Sequence, residues 1–121
     1  MVSAAVRFIV TGFHYWPDAP VGRAYLGRRH RHAFHCEVRV RVEHDDRDVE
    51  FHDLLEHARR GLGVGDLGSG DLEFAGASCE TLAQRLIDHV NTRWPGRCYH
   101  AEVWEDGEVG ALVTHEAAVA R

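Results

Sequence analysis

Val6, Phe8 and Val10 recur at every second position within residues 4–13, the period of a strand with one buried face. Pro17, Pro20 and Gly22 then break the pattern, so residues 16–29 read as a loop. The clearest alternation follows: Phe34, Cys36, Val38, Val40 and Val42 interleave with His35, Glu37, Arg39, Arg41 and Glu43. One face of this second strand is core and the other is charged. Mixed charges on that face suit either plain solvent exposure or the polar lining of a barrel made by several subunits.

After an Asp-rich turn at 44–48 the period changes. Leu54, Leu55, Ala58 and Leu62 predict a short helix over about 52–61, ended by Gly61 and Gly63. Residues 61–77 carry too many glycines for a regular element and read as a mobile loop, of the kind that often covers a site. Ser78 offers an N-cap to a second amphipathic helix running to about 92 on Leu82, Ala83, Leu86, Ile87 and Val90, and Pro95-Gly96 stops it. Residues 98–105 and 108–114 flank Asp106-Gly107, a two-residue hairpin signal. The last residues, from Glu116, read as a frayed end.

The chain therefore reads as α+β in the order ββααββ. Its 121 residues, 45% apolar, describe one compact domain over residues 1–121, of a size that often completes its surface by oligomerising. A net charge of −5 argues against a nucleic-acid partner, although Arg28, Arg29 and Arg31 form one basic spot able to meet a phosphate. Every basic residue is arginine, which excludes Schiff-base chemistry and a lysine-dependent phosphate loop. Cys36, Cys79 and Cys98 fit neither a disulfide set nor a close-spaced zinc motif and imply a reducing, cytoplasmic setting. MVSAAVRFIV lacks the order of a signal peptide, and no apolar run reaches membrane-spanning length.

Chemistry concentrates in the histidines. His30 and His32 sit at i and i+2 on the approach to the second strand, so they share a face, and their parity is that of its apolar row. His14 at the end of the first strand could complete a three-histidine zinc site with one open position. The competing expectation is three polar strand positions with no metal. His35 has the opposite parity and falls outside the site. The other six histidines, His44, His52, His57, His89, His100 and His115, read as surface or structural. Tyr15, Tyr25 and Asp18 are candidate proton acceptors, with nothing local to select one. Cys79, at a helix start, suits either a thiol with lowered pKa or a small buried residue.

His14, His30-Arg31-His32-Ala33-Phe34, Val49-Glu50-Phe51, Ser78-Cys79-Glu80-Thr81-Leu82-Ala83 and Ala101-Glu102-Val103-Trp104-Glu105 together resemble the 6-pyruvoyl-tetrahydropterin synthase and 6-carboxy-tetrahydropterin synthase family, in order and over nearly the whole chain. The resemblance implies a tunnelling fold, a four-stranded antiparallel sheet with two helices on one face, closing into trimeric barrels that stack as hexamers. It implies His14, His30 and His32 as zinc ligands, and Glu105 as the carboxylate that grips the amino-pyrimidinone edge of a pterin, accepting two N–H donors side by side. It also implies lyase chemistry on a reduced pterin such as dihydroneopterin triphosphate, in pterin or 7-deazapurine biosynthesis.

The departures from the family pattern are specific. Residues 22–29 hold neither the family's catalytic cysteine nor the glutamate used by some relatives. The segment that supplies an Asp-His pair is here the glycine-rich run 61–70, in or beside which Asp66 or Asp71 could replace the aspartate, with no histidine following. Two readings of different class follow, a zinc enzyme with altered catalytic residues and a zinc-containing pterin- or purine-binding protein without the family's reaction. A third keeps only the oligomer, with a structural metal.

Overall fold

The computed structural model describes residues 1–65 and 70–117. Its elements are β1 (Ser3–His14), a 3-10 segment (Val21–Gly27), β2 (His30–Arg41), α1 (Phe51–Gly61), β3 (Leu72–Glu73), α2 (Cys79–Arg93), β4 (Tyr99–Glu105) and β5 (Val109–His115). The class is α+β. The sheet order is β3-β1-β2-β4-β5, antiparallel except where β3 runs parallel to β1.

The period-two rows make the sheet's inner face. Ala4 pairs with Val40, Val6 with Val38, Phe8 with Cys36 and Val10 with Phe34, and β4 continues the rows with Val103 beside Cys36 and Ala101 beside Val38. All of these side chains are buried. On this face α2 lies over β4 and β5, while α1 lies against β1 and α2. Leu54 and Ala58 of α1 and Leu82, Ala83, Leu86 and Val90 of α2 are each fully excluded from solvent. Both helices start on side-chain caps: Glu50 accepts from the Asp53 N–H, and Ser78 from the Thr81 N–H. Two backbone N–H groups hold the Glu50 carboxyl down to about 2.

The sheet differs from the expected four antiparallel strands by β3, a parallel two-residue strand in the segment read as loop. It covers the open edge of β1, where Phe74 N–H donates to Phe13 O (2.8 Å) and Tyr15 N–H to Ala75 O (2.9 Å). Gly12 makes this approach possible, since a Cβ there would meet the Phe74 ring at 2.7 Å. Among the described residues no helix is long and apolar enough to cross a membrane.

The outer face is the charged one. Arg7 and Arg39 each reach the Glu37 carboxylate at 2.6 Å, and Glu102 accepts from Trp104 Nε1 (2.8 Å) and lies 2.7 Å from His100 Nε2. His35 sits on this face, paired with Trp104 across the β2–β4 ladder.

Candidate metal centre

Pairing of β1 with β2 runs to their ends, setting His14 opposite His30 and Gly12 opposite His32. All three histidines share the parity of the core row, so they prolong the inner face past the last apolar pair, Val10 and Phe34. Their rings meet edge to face with centroids 4.6 Å (His14–His30), 4.8 Å (His30–His32) and 5.4 Å (His14–His32) apart. One ligand nitrogen from each lies within 4.8 Å of the others. Phe34, fully buried, forms the wall beneath, with its ring centroid 5.2 Å from that of His14 and 5.7 Å from that of His32.

Each ring is oriented through Nδ1. His14 Nδ1 lies 3.0 Å from the carbonyl oxygen of Ala77, just ahead of α2, and His30 Nδ1 lies 2.7 Å from that of Arg28. His32 Nδ1 lies 2.7 Å from Asp106 Oδ2. Carbonyl and carboxylate oxygens only accept, so all three Nδ1 atoms carry the proton and donate. In the neutral rings the lone pairs are then on Nε2.

The Nε2 atoms of His14 and His32 are buried without a hydrogen-bond partner. They lie 3.2 Å from Glu105 Oε1 and 3.5 Å from Glu105 Oε2, at ion-pair distance but without directed hydrogen-bond geometry. Two lone pairs facing a carboxylate repel one another unless positive charge enters between them. That charge is either a proton or a cation. The donor set of three imidazole nitrogens, beside a carboxylate and with a free direction of approach, fits a borderline-soft divalent ion.

A cavity of about 440 Å³ opens beside the histidines, within the size range of small-molecule sites. Tyr15, Trp16, Cys79, Glu80 and Glu105 are among the residues that line it. Gly110 also lines it, and a Cβ there would lie 2.3 Å from Val103 O. Cys79 Sγ donates to Glu105 Oε1 at 3.7 Å. Burial and the Glu105 charge push this thiol up to about 12, opposite to the lowering a helix start could provide, so the buried-residue reading of Cys79 holds.

The structure brings together His14, His30, His32 and Glu105. Of the candidate proton acceptors, Tyr15 lines the cavity, whereas Asp18 and the exposed Tyr25 do not. Arg29 is engaged elsewhere: its guanidinium stacks 3.5 Å over the Phe13 ring and pairs with Glu73 on β3. Arg31 points to the outer face and pairs with Asp71 at 2.9 Å. Asp71 is thereby a partner for arginine and does not line the cavity, and Asp66 lies outside the described residues.

Two groupings escaped the sequence reading. Asp106, read only as a turn residue, holds His32, and its hydrogen bonds from His32 and the Ala33 N–H keep its carboxyl below the usual range. The signal for it was the hairpin itself, once β4 is set beside β2 so that Phe34 faces Glu105. The second grouping is Glu37, His100 and Glu102, whose donor atoms lie within 4.8 Å of one another on the outer face. Two arginines already neutralise it. A comparison of the chain with protein-family models and with curated proteins finds no match.

Proposed function

We propose that this protein is a zinc-dependent, lyase-like enzyme acting on a reduced pterin such as dihydroneopterin triphosphate or a related purine-derived compound. On this reading it is a divergent tunnelling-fold homo-oligomer of the 6-carboxy-tetrahydropterin synthase type, cytoplasmic, with the charged outer face of the sheet turned inward. The observation that carries the reading is the convergence of three imidazoles, each with Nδ1–H committed to an acceptor, two of them aiming orphaned Nε2 lone pairs toward the Glu105 carboxylate. Zinc held by His14, His30 and His32 would supply a Lewis acid with one position open toward a hydroxyl or carbonyl. Glu105, one-quarter exposed at the cavity wall, can accept two N–H donors from a planar amino-pyrimidinone edge. Tyr15 and Trp16 offer the ring aromatic surface, and the Tyr15 hydroxyl is the lining phenol available to exchange a proton.

A second reading, a zinc-containing pterin- or purine-binding protein without turnover, is favoured by one observation. Residues 22–29 carry no cysteine to act as the family's nucleophile, and the Cys79 thiol near the site is buried and donates to Glu105. The experiment that separates the readings incubates zinc-assayed protein with dihydroneopterin triphosphate and follows substrate loss and product mass by chromatography. Turnover abolished by a chelator is the expected result. Bound pterin and zinc without turnover would select the binding protein, and failure to hold either would overturn both.

A further inference from the structure

We propose that Asp106 is a positioning residue for the metal centre, fixing the tautomer of His32 and raising its strength as a ligand. The inference deepens the zinc reading and rests on it. Its basis is an asymmetry among the three histidines. His14 and His30 are oriented by the main-chain carbonyls of Ala77 and Arg28, whereas His32 alone is oriented by a charged side chain. A carboxylate accepting the distal N–H of a ligand imidazole fixes the ring and makes the other nitrogen more basic toward a cation.

The carboxylate is itself held at both ends. Oδ2 takes the His32 Nδ1–H at 2.7 Å, and Oδ1 takes the Ala33 backbone N–H at 3.0 Å, one residue along the same strand. Its backbone is fixed too. Asp106 N–H donates to Ala33 O at 2.7 Å, and Glu108 N–H closes the turn onto Glu105 O at 3.0 Å. Asp106 and Gly107 have φ of 54° and 74°, the left-handed pair at the centre of the Glu105–Glu108 turn, and the register leaves three residues between the paired Glu105 and Val109, one more than the two-residue hairpin the sequence predicts. Asp is tolerated there because its short polar side chain suits that conformation. The turn thus joins β4 to β5 and also delivers a carboxylate to β2. Glu105 and Asp106, adjacent in sequence, then reach the two sides of the His32 ring, one facing Nε2 and the other binding Nδ1–H.

Asn-Gly favours the same turn, so Asp106→Asn removes the charge and keeps the hairpin. An amide in place of a carboxylate at an imidazole N–H also admits the wrong tautomer. Two readouts test the proposal. Chelator-competition titration should show zinc bound about 10–100-fold more weakly by Asp106→Asn than by the unsubstituted protein, with both metal-free proteins folded at the temperature of the titration. Long-range nitrogen–proton NMR of the metal-free proteins should place the His32 proton on Nδ1 in the unsubstituted chain and shift population to Nε2 in Asp106→Asn. Equal zinc affinities, or an unchanged Nδ1–H tautomer in the variant, would overturn the role of Asp106. A tautomer shift in a protein that binds no zinc in either form would uphold the orientation of His32, overturn the ligand role and remove the zinc reading itself.

Discussion

Replacing Phe34 by Ala should damage stability and metal binding together, because the core row of β2 and the histidine row are one continuous face. Phe34 is fully buried and meets three rings edge to face, those of His14, His32 and Phe74, at 5.2–5.7 Å. Truncating such a side chain costs about 3–5 kcal/mol through lost transfer energy and the cavity left behind. A chain of 121 residues has an unfolding entropy on the order of 0.25 kcal/mol/K, so the midpoint should fall by ~12–20 °C. The assay is thermal and urea unfolding in chelator, where no metal contributes, repeated with excess zinc. Zinc at one hundred times its dissociation constant stabilises a folded site by about 2.7 kcal/mol, and this increment should shrink in Phe34→Ala at the same zinc concentration as His14 and His32 lose their wall. A loss below about 1 kcal/mol in chelator would refute the packing argument. A large loss with the full zinc increment retained would refute the coupling of core to site.

Glu105→Gln should leave bound metal in place and weaken pterin affinity by roughly 10–100-fold, the value of a charge-assisted hydrogen bond, and unchanged affinity by calorimetry would count against its role. The Cys36 thiol is pushed up to about 12, mainly by burial and further by neighbouring Cys79. A folded value above the unfolded one, about 8.5, means that the stability it contributes is complete below that pH and is lost as pH rises toward 12. Zinc-free protein should therefore lose up to ~1.4 kcal/mol per pH unit in this window through Cys36. Cys36→Ala should flatten the slope, and identical slopes would contradict the assignment.

Much of this arrangement was legible because strands have period two. Parity alone put His30 and His32 on the apolar row of Phe34 and Cys36, and Arg31 and His35 on the opposite face. What parity cannot supply is register between strands distant in sequence. Asp106 acquires its role only when β4 pairs with β2, which sets the hairpin turn beside Ala33. For the same reason Arg29 read as part of a basic spot, although the two-residue strand β3, too short to leave a periodic signal, brings Glu73 against it. Cys79 shows a different limit: the helix start was visible, but the burial and the carboxylate that dominate its thiol were not.

The most direct measurement of the central claim is metal content. Protein purified without chelator and the His30→Ala/His32→Ala double variant should be compared by elemental analysis alongside oligomeric state. The account predicts one zinc per chain in the unsubstituted protein and none in the double variant, with the same assembly in both. Zinc retained at one per chain by the double variant would contradict it.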